Sequence, residues 1–268
     1  MNINDTLVVV RGAGDIATGT LHCLQSCGFK VVALETTKPT AIRRYVAFCE
    51  AVYDGQMTID NMTARCVSSI EEIEACFKAH ELPVVVDQKA ELIKVLKPQV
   101  VVDAILAKKN FGTSIGMAPL VIGLGPGFTA KKDVDIVIET MRGHQLGKII
   151  TEGSAQPNTG IPGVIAGFGK ERVIHAPAAG ILTSVAKISD VVSKGQTIAY
   201  IGETPVASTL DGVLRGLIRD GFDVPKGMKI ADIDPRITEQ QNCFSISDKA
   251  RTIAGSVLQA ILMYGDKS

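Results

Sequence analysis

The chain of 268 residues has no tryptophan, four histidines and six cysteines, none of them in a CxxC pair. Scattered thiols give neither a disulfide framework nor a zinc ribbon, and the histidines fall in no ligand-like spacing, so no metal site is expected. Net charge is missing as well. The 28 basic side chains are balanced by 28 acidic ones, which leaves no broad footprint for nucleic acid or an anionic membrane. No apolar run reaches the ~18 to 20 residues that a membrane helix needs. Met1 to Thr6 has neither the basic start nor the apolar core of a secretory signal. A P-loop motif is absent. The expectation is a reduced, cytoplasmic protein without nucleic-acid or membrane partners.

What is present is glycine, unevenly placed. None falls between Gly55 and Gly112, and twelve lie from Gly112 to Gly169. The first half alternates short apolar runs with helical patterns. Leu7–Val10 leads through Gly12-Ala13-Gly14 into a helix with Ile16, Leu21 and Leu24 at core spacing, ending at Gly28. Val31–Leu34, Cys66–Val67, Val84–Val86, Val100–Val102, Leu120–Ile122 and Ile136–Ile138 read as further strands. Ile70–Ala79 and Glu91–Leu96 read as helices. Near-continuous Val/Ile/Leu strands predict a parallel sheet covered on both faces.

Beyond Arg172 the chain turns to short β segments and repeats itself. Gly180-Ile-Leu with Val192-Ser-Lys194-Gly195 and Ile198-Ala199 recurs 32 positions later, as Gly212-Val-Leu with Val224-Pro-Lys226-Gly227 and Ile230-Ala231. Two such units predict a pseudo-symmetric barrel or sandwich. Ala176-Pro177-Ala178-Ala179-Gly180 and Val191–Gln196 resemble the barrel-sandwich hybrid of biotinyl and lipoyl domains. A carrier domain displays a lysine between its halves, and Gly195 to Pro225 holds none. Covalent biotin or lipoate is therefore not expected. Ser247–Tyr264 reads as a helix whose stripe of Ile253, Val257, Ala260 and Ile261 docks on the α/β part.

Gly12-Ala13-Gly14-Asp15-Ile16-Ala17 fits G-x-G-x-x-G/A between a strand and a helix, with Glu35 near the place of a ribose-binding acid. Glycines there let a phosphate approach helix amides, although Asp15 brings a negative charge to the same turn. The other reading is a turn that binds no dinucleotide. Gly123-Leu-Gly125-Pro-Gly127 is either an anion loop or a tight connection. Asp103 could orient a hydroxyl, and Lys108, Lys109, Arg43 and Arg44 could grip phosphate. The alternative is solvated charge. His144 is structural or catalytic, and Cys23 with Cys27, four apart on one helix, is a soft-metal pair or two buried thiols.

Several blocks in order carry a resemblance. They are Arg11-Gly-Ala-Gly-Asp-Ile-Ala-Thr-Gly19, Pro39-Thr-Ala-Ile-Arg-Arg44, Glu50-Ala-Val-Tyr53, Val102-Asp-Ala-Ile-Leu-Ala-Lys108, Gly123–Phe128, Ile138-Glu-Thr140, Arg142-Gly-His144 and Pro157-Asn-Thr-Gly160. Together they are similar to the accessory proteins of the selenium-dependent molybdenum hydroxylase system, related to xanthine dehydrogenase maturation factors. The resemblance implies a role in maturing such an enzyme. It supplies no established catalytic residue.

The expected fold is α/β: a Rossmann-like parallel-sheet domain over residues 1–170, a barrel-sandwich hybrid over 171–236 and a C-terminal helix over 237–268 packed on the first domain. The expected function is a maturation factor binding a nucleotide-containing ligand, such as the molybdenum cofactor, together with its hydroxylase client. Gly12, Gly14, Asp15, Thr18 and Gly19 would line the ligand, with Glu35 and Asp103 on hydroxyls. Arg43, Arg44, Lys108 and the amides of Gly125 and Gly127 would hold its phosphates. The rivals are an NAD(P)-dependent oxidoreductase and a scaffold without a small ligand. Whether a reaction occurs, and whether the chain forms a homo-oligomer, stay open.

Overall fold

The structure, a computed structural model, describes residues 2–160 and 163–264. Its elements run β1 (Leu7–Arg11), α1 (Asp15–Ser26), β2 (Lys30–Glu35), α2 (Ala51–Asp54), β3 (Gln56–Ile59), β4 (Met62–Val67), α3 (Ile70–Lys78), β5 (Leu82–Val86), α4 (Leu92–Leu96) and β6 (Val100–Asp103). Then follow β7 (Leu120–Leu124), β8 (Thr129–Ala130), β9 (Ile136–Ile138), β10 (Ile149–Ile150), β11 (Gly153–Ser154), β12 (Val173–His175), β13 (Gly180–Ser184) and β14 (Val191–Val192). The chain ends with β15 (Thr197–Ile201), β16 (Thr204–Ala207), β17 (Gly212–Leu217), β18 (Asp223–Val224), β19 (Lys229–Asp234) and α5 (Asp248–Tyr264).

Two compact units divide the chain. The first comprises Met1–Pro39, Ala47–Asn158 and Ile246–Ser268. Its main sheet has the order β10-β9-β7-β6-β1-β2-β5-β4-β3. The strands from β4 to β9 pair in parallel, and β3 and β10 close the edges antiparallel. Side chains alternate across a strand, which explains the valine runs. Val9, Val101 and Val121 pack on one face with Ile73 and Cys76 of α3 and Ile93 of α4. Val8, Val10, Val100 and Val102 are equally buried, pointing the opposite way. Both faces are covered, so a period-two polar pattern never develops.

The helix ends follow from local chemistry. Ser69 caps α3 through the Glu72 amide while Glu72 returns to the Ser69 amide at 3.2 Å, a reciprocal capping box. Strand β3 escapes sequence reading because it is half-polar. The Asp60-Asn61 turn, at φ +46° and +66°, returns it into β4 as a hairpin.

The second unit comprises Thr40–Val46 and Thr159–Ser245. It holds two four-stranded antiparallel sheets, β12-β19-β17-β14 and β16-β15-β13-β18. The repeat governs their pairing. Gly180 pairs with Val224 and Gly212 with Val192, and Leu182 pairs with Ile201 as Leu214 does with Ile233. Each copy lends its short strand to the sheet of the other. One apolar core, including Leu182, Ile198, Leu214 and Ile230, fills the space between them.

The boundaries differ from the expected 170/171 and 236/237. Ile237–Cys243 forms 3-10 turns in the second unit, and the helix proper starts at Asp248. Thr40–Val46 leaves the α/β part because β17 recruits it. The Leu217 amide donates to the Ile42 carbonyl at 2.9 Å, and the Arg44 Nε donates to the Leu217 carbonyl at 2.7 Å.

Within the first unit α1 and α5 meet at Gly19. A Cβ there would lie 2.7 Å from the Ala250 carbonyl oxygen, so glycine is what permits the approach. Gly19→Val should lower unfolding stability by about 1–3 kcal/mol through overpacking, read by urea denaturation. A change within about 0.5 kcal/mol, the range of surface substitutions, would contradict this contact.

Candidate functional site

Strand β1 has β2 on one side and β6 on the other. The chain therefore reverses direction across the sheet between β1 and β6. Open α/β sheets bind ligands at the carboxyl ends of strands beside such a reversal. The loops that collect there are the Gly12–Gly14 turn, residues 104–113 after β6, residues 125–128 after β7 and residues 139–142 after β9.

A buried network knits the strand ends together. Arg11 and Asp103 sit opposite each other in register, with side chains 5% and 2% exposed and 3.6 Å apart. The Arg11 guanidinium donates to the Thr113 hydroxyl, which in turn donates to the Asp103 carboxylate at 2.5 Å. A second Arg11 nitrogen reaches the Phe111 carbonyl at 3.1 Å, and the Ile105 amide donates to Asp103 at 3.1 Å. Asp103 thus fastens the 104–113 loop instead of standing open to a hydroxyl. Burial pushes its carboxyl above the usual range, opposed by Thr113, Ile105 and Arg11.

Glu35 is engaged in the same way. One oxygen accepts the Ala13 amide at 2.8 Å and the other the Thr36 amide at 2.7 Å. Burial raises its pKa against those two bonds. Thr18 is fully buried in α1. Its hydroxyl accepts the Phe48 amide at 2.9 Å and lies 3.3 Å from the Ala13 carbonyl, while the Cys49 amide donates to that carbonyl at 2.8 Å. The 3-10 turn Phe48–Glu50 therefore lies along the glycine turn. Cys49 is a buried thiol pushed well up by burial and then by Glu35, Glu50 and Asp15, an environment that favours the thiol over the thiolate.

The glycines serve different ends. Gly12 has φ +98°, and a Cβ would lie 3.0 Å from the Ala104 carbonyl oxygen. Gly14 is the N-cap of α1 and provides no side-chain cap, and a Cβ there would meet nothing within 4 Å. Gly125 abuts the Thr140 side chain, with its amide on the Ile138 carbonyl at 2.8 Å. Gly127, at φ +112°, would put a Cβ 2.8 Å from the Lys109 backbone. That pair is a loop-packing device, which brings the 125–128 loop onto the 108–109 loop. Lys108 is exposed at φ +63°, and Lys109 lies 4.7 Å above the Phe111 ring.

The structure thus gathers Gly12, Gly14, Asp15, Thr18, Glu35, Asp103, Lys108, Gly125 and Gly127 in one unit, near its carboxyl edge. Arg43 and Arg44 belong to the other unit. Arg43 donates to the Asn242 carbonyl at 3.1 Å, and Arg44 to Leu217, so each has a backbone partner in the β module. His144 is exposed. Cys23 is half-buried, its thiol pushed up to about 11 by burial and by Cys27.

Sequence reading missed several groups at this edge. Glu139 is buried and bonds the amides of Thr140, Met141 and Gln156 at 2.7, 2.7 and 2.8 Å. Arg142 grips Asp248 with two 2.7 Å bonds. Beside it Lys249 is half-buried, its pKa lowered by burial and by Arg142 against Asp15, Glu139 and Asp248. Only the tertiary approach of α5 brings Lys249 here, so no local motif marks it. Elsewhere, a cleft of about 900 Å³ lined by Lys89, Lys94, Lys97 and Ile115 opens ahead of β6 and β7, away from every expected site residue.

No family model matches the chain. Over 257 residues, 96% of its length, it is 53% identical to the "Uncharacterized protein YqeB" of Escherichia coli (strain K12), and it spans 47% of that relative, about half. Among solved structures it is similar to the product-bound ectoine utilization protein EutE (DoeB) from Ruegeria pomeroyi, at 11% identity, 85% coverage of each chain and a TM-score of 0.26. It is also similar to a succinylglutamatedesuccinylase/aspartoacylase from Rhodobacter sphaeroides, at 12% identity, 85% and 84% coverage and a TM-score of 0.28. Likeness this low carries no inference for the chain.

The raised carboxyls of Glu35 and Asp103 set a pH dependence with a definite sign. An acid that binds its proton more tightly when folded adds stability as pH falls from its raised value towards the ordinary one, and burying its charge costs stability above. Carbon NMR should show both carboxyls titrating above their ordinary values of 4.5 and 3.8. Titration of either at or below those values would contradict the burial argument.

Proposed function

We propose that this chain is a cytoplasmic accessory factor in the maturation of a selenium-dependent molybdenum hydroxylase. It holds a nucleotide-bearing ligand, with the molybdenum cofactor as the candidate, at the carboxyl edge of a Rossmann-like sheet. The ordered sequence blocks support the family, and the strand reversal between β1 and β6 supports the place. The observation that carries the ligand reading is the room over Gly14, at an α1 start that has no side-chain cap. A phosphate can use helix amides presented in this way.

Glu35 has both oxygens on backbone amides, which removes the main support for an NAD(P) oxidoreductase. Asp15, Glu35 and Glu50 make the turn electronegative, so the ligand's charge needs a nearby cation, and Lys249 lies in the field of Asp15. The β module, read as a barrel-sandwich hybrid without a carrier lysine, is the docking part for the client enzyme. A scaffold without ligand is the second reading. It draws on Gly19, Gly125 and Gly127, each explained by close packing.

Gly14→Asp separates the two readings. Gly14 has φ −66° and open space around its Cβ position, so an Asp there keeps the fold and sets a carboxylate where the phosphate would lie. Calorimetry with the purified protein and the molybdenum cofactor should show binding to the native chain and at least a tenfold loss with Gly14→Asp. No binding to the native chain, with client co-purification unchanged in the variant, would favour the scaffold.

A further inference from the structure

The first unit carries a cleft at the other end of its main sheet. Strands β6 and β7 run parallel, and a parallel crossover is usually filled by a helix. Here residues 104–119 form only turns and irregular backbone. A cleft of about 900 Å³ opens between the second half of that connection and α4, a size within the range of small-molecule sites. Pro98-Gln99 and Ala118-Pro119, which lead into β6 and β7, border it. It therefore stands at the amino ends of these strands, opposite the carboxyl edge.

The lining combines an apolar floor with charge of one sign. Ala90 and Ile93 belong to the apolar core on that face of the sheet, and Met117 and Ala118 pack against the same core. Lys89, Lys94 and Lys97 line the cleft, and no acidic side chain does. The acids closest along the chain are engaged. Asp87 accepts the Leu92 amide at 2.8 Å, and Glu91 pairs with Lys94 at 2.7 Å. Among the described residues Lys89 and Lys97 have no carboxylate within 4.0 Å. Lys97 ends α4 in the left-handed region, at φ +46°, with its amide on the Ile93 carbonyl at 2.9 Å. Its backbone is thus fixed beside the apolar floor. Gln99 and Ser114 supply the remaining polar side chains of the lining.

We propose that this cleft binds an organic phosphate, its apolar ring on Ile93 and Met117 and its phosphate met by Lys89, Lys94 and Lys97. A cleft lined by one sign of charge over low-dielectric walls concentrates the opposite charge. An inorganic anion would match the lysines and leave the floor in water. An uncharged ring would cover the floor and leave the ammonium groups unmatched. A phosphate monoester carries close to two negative charges at neutral pH, against two lysines without an acidic partner. Lysine meets phosphate as a point charge, so the three stems need no forked geometry to hold it. This cleft and the carboxyl-edge site stand or fall separately.

The probe is naphthyl phosphate on the full chain, compared with inorganic phosphate and with naphthol. Calorimetry should show naphthyl phosphate binding at least tenfold tighter than either part. The double variant Lys89→Met with Lys97→Met should weaken it at least tenfold, and both side chains are exposed, so the fold is kept. Trace acylation of the native chain, read by peptide mass spectrometry, needs no variant. Naphthyl phosphate should shield Lys89, Lys94 and Lys97 and leave Lys108 and Lys109, at the carboxyl edge, as reactive as before. Four results would each overturn the proposal: no binding of naphthyl phosphate, binding no tighter than that of either part, equal binding by the double variant, or shielding confined to Lys108 and Lys109. Neither measurement uses the molybdenum cofactor, so failure here leaves the carboxyl-edge reading to its own test.

Discussion

The approach of α1 to α5 at Gly19 and Ala250 is the contact that brings α5 to the carboxyl edge of the first unit. A glycine in the middle of a helix costs up to about 1 kcal/mol against alanine, and here it lets a backbone carbonyl come where a methyl group would stand. That approach carries the first turn of α5 to the start of α1. Asp248 then reaches Arg142, and Lys249 enters the field of Asp15 and Glu139. A segment more than two hundred residues downstream thus completes an edge begun by β1.

Carboxylates organise that edge. Glu35 holds the glycine turn, Asp103 holds the loop after β6, and Glu139 holds the loop after β9, each through backbone amides. Buried carboxylates are tolerated because each is hydrogen-bonded, and Asp103 also has a buried guanidinium partner. The price is an electronegative rim, which narrows where an anionic ligand can settle. At Gly14 the start of α1 is open, with nothing within 4 Å of a Cβ there.

The sheet was legible because its strands are valine runs after turn signals. β1, β2, β6, β7 and β9 lie where those runs stand, and the 32-residue repeat marks two similar β units, whose registers the structure shows to match. Local pattern could not reveal that Thr40–Val46 pairs with β17, since its link is made by the backbone of Ile42 and Leu217, far apart in sequence. For the same reason Arg43 and Arg44 read as phosphate ligands when their bonds go to the β module. Glu35 and Asp103 end their strands, as their sequence positions imply, but their side chains are engaged by amides that only the fold brings near. Lys249 had no local signal at all.

The most direct measurement of the central claim is a crystal structure of the chain soaked with the molybdenum cofactor. The account predicts ligand density over Gly14, with a phosphate oxygen within about 3.2 Å of an amide nitrogen in the first turn of α1, the reach of an ordinary hydrogen bond. Density confined to the lysine-lined cleft around Lys89, Lys94 and Lys97, or an edge left without ligand at saturating cofactor, would contradict it.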